Sequence, residues 1–493
     1  MCAFNSYVTS VGTDSYDIGE SHSYPIYAKA IDILPDDVLL EIFDCVRSSR
    51  EFSYIPWAWN ILVHVCRRWR QLIFAFPLRL DLTLLCTYRT PVKKLLSCWP
   101  AFPIIMDCYD PGEKDPSPDE EDNVVAALEN SGRVRVVRLT LRSSLWEKMA
   151  AVIQQSFPAL FRFSLFSIDT DIPVLPGGFT GGSFPSLRDV TFHGIPIPKM
   201  STFLSSGSNI VRLGLNNIPQ TGYISPADLV TCLAMLPTLK DLSISFQPQA
   251  FLSEQSQLPS ETRAVLPALS IFFLEGESAY LEDLVARIDA PRLRLIDVIY
   301  QLQDGDPVLD DQPEFQIPEF SKFISRSGLN SFPFRLVQIS FDDDDLLSVL
   351  CCPEYEPNMY AIAIRISSSE GMGWQVLDMA QVLNQTSAIL SEVLELNVRG
   401  DEPDPDWHLE SPGIDEIPWS EVLLPFTAVG VLRVSRMLGE SVARALERID
   451  VAGVLPALDM LCLMGQPEST IKKLNEIFEL CGRRLFITND SDD

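Results

Sequence analysis

The sequence is short of basic charge, of histidine and of long apolar runs, and each shortage removes a class of function. Lys and Arg number 38 against 67 Asp and Glu, a formal net charge of −29 at pH 7. A phosphate backbone is held by clustered cations, so this balance argues against nucleic acid as a partner. No run of eighteen or more apolar residues occurs, so no membrane span is expected. The first thirty residues are rich in Ser and Tyr. They lack a basic segment followed by an apolar one, so no secretory signal is read there.

Signals of chemistry are equally thin. The four histidines, His22, His64, His193 and His408, are scattered, and no CxxC pair exists. No His lies at ligand spacing from a Cys, so no metal and no other cofactor is expected. The run Gly177-Gly178-Phe179-Thr180-Gly181-Gly182 lacks the Lys-Ser/Thr of a phosphate loop and reads as a loop. Eleven cysteines, several inside apolar runs (Cys66, Cys232, Cys462), read as small packed hydrophobes rather than a disulfide framework. A reducing compartment, cytoplasm or nucleus, follows as the expectation. The vicinal pair Cys351-Cys352 is too close for a simple bridge. No nucleophile and base are brought together by spacing, so the chain reads as a non-enzyme.

What is present is an ordinary globular composition, 46% hydrophobic and 21% charged, in a chain of 493 residues. That length exceeds one compact core and implies several domains or stacked repeats. Residues 1–30 lack periodicity and read as a disordered tail. Order begins at Ile33-Leu34-Pro35-Asp36-Asp37, where Pro and two acids suit a helix start. Val38, Leu39, Ile42, Phe43 and Val46 then fall at helical spacing on one broad apolar face. After a loop over 47–60, a second amphipathic helix is predicted to carry Leu62, Val65, Cys66, Trp69, Leu72 and Ile73 on one side, flanked by Arg67, Arg68 and Arg70.

The string Leu34-Pro35-x-x-Val38-Leu39-x-x-Ile42-Phe43, followed by Val65-Cys66-Arg67-x-Trp69-x-x-Leu72-Ile73 and Pro77, resembles the F-box. The insertion between its halves and the segment Leu80 to Trp99 are similar to F-box proteins abundant in mushroom-forming (basidiomycete) fungi. The resemblance implies a short helical bundle that docks on a Skp-family adaptor and, through it, on a cullin–RING ubiquitin ligase of the SCF type. Leu34, Pro35, Val38, Leu39, Ile42, Phe43, Val65, Cys66, Trp69, Leu72 and Ile73 are then the residues that face the adaptor or support those that do. Period alone does not separate the two roles.

Beyond the module one pattern recurs: an apolar residue, two variable, an apolar, one variable, an apolar, often with Pro two places ahead. Clear copies begin at Leu160, Leu187, Ile210, Leu239, Leu269, Leu293 and Leu458. Weaker ones are Val136 with Leu139 and Leu141, Leu336 with Ile339 and Phe341, and Val393 with Leu396 and Val398. Steps between the six consecutive clear copies run from 23 to 30 residues, the period of leucine-rich repeats, each a short strand plus a helix or turn. Helical stretches are expected at 145–155, 227–236 and 279–288. The family's ladder asparagine is replaced by Ile168, Ile195 and Ile218 in the first three clear copies, so the coil is expected to be irregular. Spacing becomes uneven over 301–454, and 403–418 reads as an inserted loop.

The fold class expected is therefore α/β. An all-α F-box module spans 31–82, and a linking segment with an acidic loop spans 83–132. An irregular leucine-rich-repeat-like solenoid with a parallel sheet fills 133–488. The function this implies is a substrate-recognition subunit whose repeats bind an unknown protein target. The alternative is an interaction scaffold outside any ligase. Acid runs such as Asp119 to Asp122 and Asp342 to Asp345 read as helix-start or solvated-loop charge. If the target is recognised electrostatically, the acid excess beyond residue 100 favours a basic surface; otherwise it serves solubility.

Overall fold

The structure is a computed structural model that describes residues 33–48, 59–77, 79–80, 82–99, 101–109, 116–167, 184–196, 209–247, 263–301, 316–342, 346–353, 360–367, 372–400, 418–448, 451–480 and 486–488. The expected tail 1–30, the Gly177–Gly182 run and most of the 403–418 loop lie outside these residues. The chain divides into two compact units, Met1–Thr83 and Leu84–Asp493.

The second unit is a mixed α/β array. Its strands are β1 Leu84–Cys86, β2 Ile104–Cys108, β3 Val134–Leu141, β4 Arg162–Ser167, β5 Asp189–His193 and β6 Arg212–Ile218. They continue with β7 Asp241–Phe246, β8 Ala264–Val265, β9 Ile271–Glu277, β10 Ile288–Asp289, β11 Leu295–Gln301 and β12 Leu336–Asp342. The last are β13 Leu346–Cys352, β14 Ile362–Ser367, β15 Glu395–Gly400, β16 Val431–Val434, β17 Met460–Leu463 and β18 Phe486–Thr488. Sixteen of them form one sheet in the order β1-β2-β3-β4-β5-β6-β7-β9-β11-β14-β13-β12-β15-β16-β17-β18, and β8 pairs with β10 apart from it. The stretch read as a linker, 83–132, supplies β1 and β2 and the helices Val92–Cys98 and Pro118–Leu128, so the sheet starts earlier than the repeat pattern.

Local chemistry explains the repeat. In six copies the Pro occupies the second position of a β-turn. Its neighbours close that turn through Leu160 N to Phe157 O, Leu187 N to Phe184 O, Leu239 N to Leu236 O, Leu269 N to Leu266 O, Leu293 N to Ala290 O and Leu458 N to Leu455 O. Pro presets the φ this position requires. The expectation that Pro serves mainly to end a helix and extend the chain is refined accordingly. The Leu that follows is buried in each case, and the strand after it alternates inward and outward. Inward rows align across strands, as in Val190, Leu213, Leu242, Phe272 and Ile296. Together with the buried faces of the intervening helices they form one continuous core running from Cys86 to Leu474.

Helices appear close to where the pattern placed them, at Ser143–Val152, Pro226–Leu233 and Ser278–Ala286. Their starts are written in sequence. Ser225 accepts from Asp228 N at 3.2 Å with Pro226 in the first turn. Glu120 reaches back to Ser117 N at 2.8 Å in a capping box, so the Asp119 to Asp122 run is helix-start charge. Lys148 bonds Asp122 at 2.8 Å and Glu121 at 3.0 Å.

Two expectations are corrected. The pattern copies at Val136 and Leu336 are each read two residues late. Val137 and Leu139 pair with Phe163 and Leu165, and Val337 and Ile339 pair with Leu396 and Val398. Three inward apolar residues in succession, Val137, Leu139 and Leu141 and likewise Val337, Ile339 and Phe341, made the two readings equivalent by pattern alone. The sheet is also not wholly parallel. Between β11 and β15 the chain crosses to β12, returns antiparallel through β13 and runs back along β14 beside β11. This excursion is why the spacing loses its period over 301–454.

One half-buried carboxylate couples the fold to pH. Glu282, on the helix Ser278–Ala286, accepts from Glu319 N at 2.7 Å and Phe320 N at 3.1 Å, capping the helix Pro318–Arg326. Burial pushes its carboxyl up to about 7, against the lowering effect of those two N–H groups and of Lys322; the Glu319 carboxylate raises it further. The folded state therefore keeps this proton over a range where the unfolded chain has lost it. Stability from this group is full below the ordinary Glu range and is lost as pH rises through about 7. Urea midpoints measured between pH 4.5 and 8 on the wild type and on Glu282→Gln should diverge, the wild type losing on the order of 1–3 kcal/mol relative to the variant. Parallel curves would show that Glu282 is not the group responsible.

Candidate protein-docking site

The first unit is built from the helices Asp36–Ser48, Trp59–Val63 and Arg67–Ala75. The sequence pattern read the last two as one helix. The chain instead turns at 64–66, where Cys66 is extended (φ −154°) and its Sγ accepts from Trp69 N at 3.4 Å as the cap of the following helix. Polar bonds brace the unit. Arg68 donates to Leu34 O and Asp36 Oδ1, both at 2.6 Å, joining the first helix to the last. Arg70 Nε donates to Val63 O at 2.9 Å, and Arg79 pairs with Glu41. Two members of the basic cluster 67–70 are therefore engaged within the unit.

The structure divides these residues by burial. Leu39 and Ile73 are fully buried, and Phe43 and Leu72 nearly so; Phe43 meets the half-buried Trp69 edge-on at 4.8 Å between ring centres. Leu40, Leu62 and Val63, absent from the motif reading, join them in the interior. Leu34 and Cys66 are half-buried. Pro35 is exposed, Val38 is 41% exposed, Ile42 40% and Val65 56%. Cys45 is also exposed, so positions 35, 38, 42 and 45 form an exposed apolar stripe at helical spacing along one side of the covered stripe Leu39 and Phe43. Ile33, Ile61 and Phe76 are further exposed apolar side chains of this unit. The broad apolar face inferred from sequence is thus filled from within the unit along one side and open along the other. His64 is exposed.

In the second unit the outward rows of the sheet carry organised charge. Asp189 accepts from Arg162 at 2.8 Å and lies 3.7 Å from Arg212, which bonds Asp241 at 2.8 Å, an alternating ladder across β4 to β7. One strand position further, Arg138 sits 4.2 Å over the Tyr109 ring, and Tyr109 meets Phe166 edge-on at 4.6 Å. His193 lies beside Phe166, and burial lowers its pKa. On β11, Asp297 is nearly buried and accepts from Tyr360 at 3.0 Å and from Arg365.

Chemical reactivity is muted. Burial pushes the Cys86 thiol up to about 11 and Cys351 up to about 12, so neither is a nucleophile near neutrality. Among the described residues no group of three His, Cys, Asp or Glu is placed to hold a metal, and no helix is long and apolar enough to cross a membrane.

No protein-family profile matches this chain, and no curated protein matches it. Among solved structures, the Rad7–Elc1 complex of yeast contains a chain that is 12% identical over 89% of this chain and 90% of that one, with a TM-score of 0.23. A score that low falls short of a shared fold.

Proposed function

We propose that the protein is a substrate-recognition subunit of an SCF-type ubiquitin ligase, its helical unit docking on a Skp-family adaptor and its repeat unit binding a protein target. The observation that carries this reading is the open apolar stripe Pro35, Val38, Ile42 and Cys45, lying beside the core stripe Leu39 and Phe43 of the helix Asp36–Ser48. A helix that served only its own core would confine its apolar face to the buried positions. The motif string in the same residues gives the stripe its partner, because F-box modules bind Skp-family adaptors. The repeat array supplies what a receptor needs besides, a long surface of variable outward positions on a fixed core.

Replacing Val38 and Ile42 together by Asp should abolish copurification with adaptor and cullin. Changing Leu34 and Pro35 to Ala should cost about 2 kcal/mol or more of adaptor binding. Exposed positions contribute little to folding, so the melting temperature of the Val38/Ile42 variant should stay close to wild type, within the effect of about 0.5 kcal/mol. Undiminished adaptor binding by that folded variant would rule the reading out. Accumulation of a target on deletion of the gene separates a receptor from a scaffold that binds the adaptor alone.

A further inference from the structure

The outward ladder on β4 to β7 is neutral, and the acid excess of the chain is not spread evenly over the repeat unit. The turns that enter the strands carry a different balance. The residues that open successive ladder steps follow one another along a single edge, joined by Phe161 N to Arg135 O, Arg188 N to Phe161 O, Val211 N to Arg188 O, Lys240 N to Val211 O, Ser270 N to Lys240 O and Arg294 N to Ser270 O. Arg135, Arg188, Lys240 and Arg294 occupy every second place in that row, and all four are exposed. Arg292 adds another exposed cation in the last turn. The entry segments 130–136, 157–161, 184–188, 209–211, 236–240, 266–270 and 290–294 contain no Asp or Glu at all. Arg188, Lys240, Arg292 and Arg294 have no side-chain ion pair or hydrogen bond among the described residues. A chain of net charge −29 thus presents, along one edge of its sheet, Arg188, Lys240, Arg292 and Arg294 without a counter-charge among the described residues.

We infer that this strand-entry edge binds an extended acidic polypeptide segment of the target. The spacing supports the class of ligand. Alternate strands lie about 9.5 Å apart, and every third residue of a polyproline II segment recurs at about 9.3 Å on one side. An acidic residue at each third position would therefore meet Arg188, Lys240 and Arg294 in turn. Nucleic acid fits less well, because a long polyanion would also meet the negative field of the whole protein, and the row offers Phe161 alone as a ring for base stacking. The direction is opposite to the one that net charge alone suggests: the target's contacting segment is acidic, not basic.

The inference rests on the repeat unit being the target-binding unit, and its test keeps the two claims apart. Fluorescence anisotropy on the full chain would compare a labelled peptide of five Glu-Pro-Pro repeats with one of five Gln-Pro-Pro repeats and with a single-stranded oligonucleotide. The Glu peptide should bind, weaken with salt and exceed the Gln peptide at least tenfold. The variant Arg188→Glu, Lys240→Glu, Arg294→Glu should lose that binding at least tenfold while retaining the wild-type circular dichroism and melting temperature. Arg399→Glu, an exposed cation on β15 away from this edge, should bind as wild type. Absence of Glu-peptide binding, equal binding of the Gln peptide, insensitivity to the triple reversal, or tighter binding of the oligonucleotide through the same three residues would each overturn the proposal. Adaptor binding measured on the same preparation reports on the helical unit independently, so a failure of the peptide with adaptor binding intact sinks this inference alone.

Discussion

Asp297→Ala should destabilise the repeat unit by about 3–5 kcal/mol, the range for removing one partner of a buried ion pair. The carboxylate is 5% exposed in the middle of the sheet, and both of its oxygens are engaged, one by Arg365 and one by the Tyr360 hydroxyl. Burial, followed by the Asp297 charge, pushes the Tyr360 hydroxyl up, so this tyrosine stays a donor. Without Asp297 the Arg365 guanidinium keeps its partly buried place, only 21% of its side chain reaching solvent, with no anion against it. The pair also links β11 to β14, where the three-strand excursion rejoins the parallel array. Adding Arg365→Met to Asp297→Ala should recover much of the loss, since an apolar pair leaves no buried charge uncompensated. Equilibrium urea unfolding with hydrogen exchange on β11 and β14 measures both. A loss under about 1 kcal/mol in the single variant would mean that the pair is solvated and contributes as a surface bridge does.

Leu242→Ala should cost about 2–5 kcal/mol, by lost burial and by the cavity left behind. Leu242 is 1% exposed and stands in the inward row between Leu213 on β6 and Phe272 on β9. Lys240→Ala, two residues earlier on the exposed edge, should change stability by less than about 0.5 kcal/mol. Leu187→Ala is expected to behave like Leu242→Ala, and Arg188→Ala like Lys240→Ala, because each pair straddles the same boundary between turn and edge. Comparable losses at the buried and exposed positions would show that the inward register is misassigned. In a stacked array such losses stay local, so the exchange of neighbouring strands reports them better than one global midpoint.

The reciprocal experience of the two units shows where sequence is sufficient. The inward residues of β4 to β7, β9 and β11 and the approximate places of the helices Ser143–Val152, Pro226–Leu233 and Ser278–Ala286 were readable because each depends on neighbours within a few residues. The turn role of Pro and the caps at Ser117 and Ser225 emerged only in the structure, although their rules are as local. A Pro fits the second place of a turn, alternate side chains of a strand take opposite faces, and a Ser caps the helix that follows it. The copies at Val136 and Leu336 failed by two residues because three successive inward apolar residues let the pattern fit at two offsets on the same face, and only the strand's partners choose between them. The break at Cys66 was hidden because both halves carry apolar residues at compatible spacing.

What the sequence by itself determined is the local alphabet: turn, strand, helix, and which residues prefer the interior. Only the tertiary structure decided which strands are neighbours. That choice produced the antiparallel return through β13 and brought Asp297 to Arg365 across 68 residues of chain. It also decided which side of the broad apolar face on the helix Asp36–Ser48 is covered, since burial is a property of what packs against a face and not of the face itself. The unpaired row Arg188, Lys240 and Arg294 comes from the same cause. Its members are separated by 52 and 54 residues in sequence, and only the stacking of strands places them on one edge, where a shared ligand could feel them together.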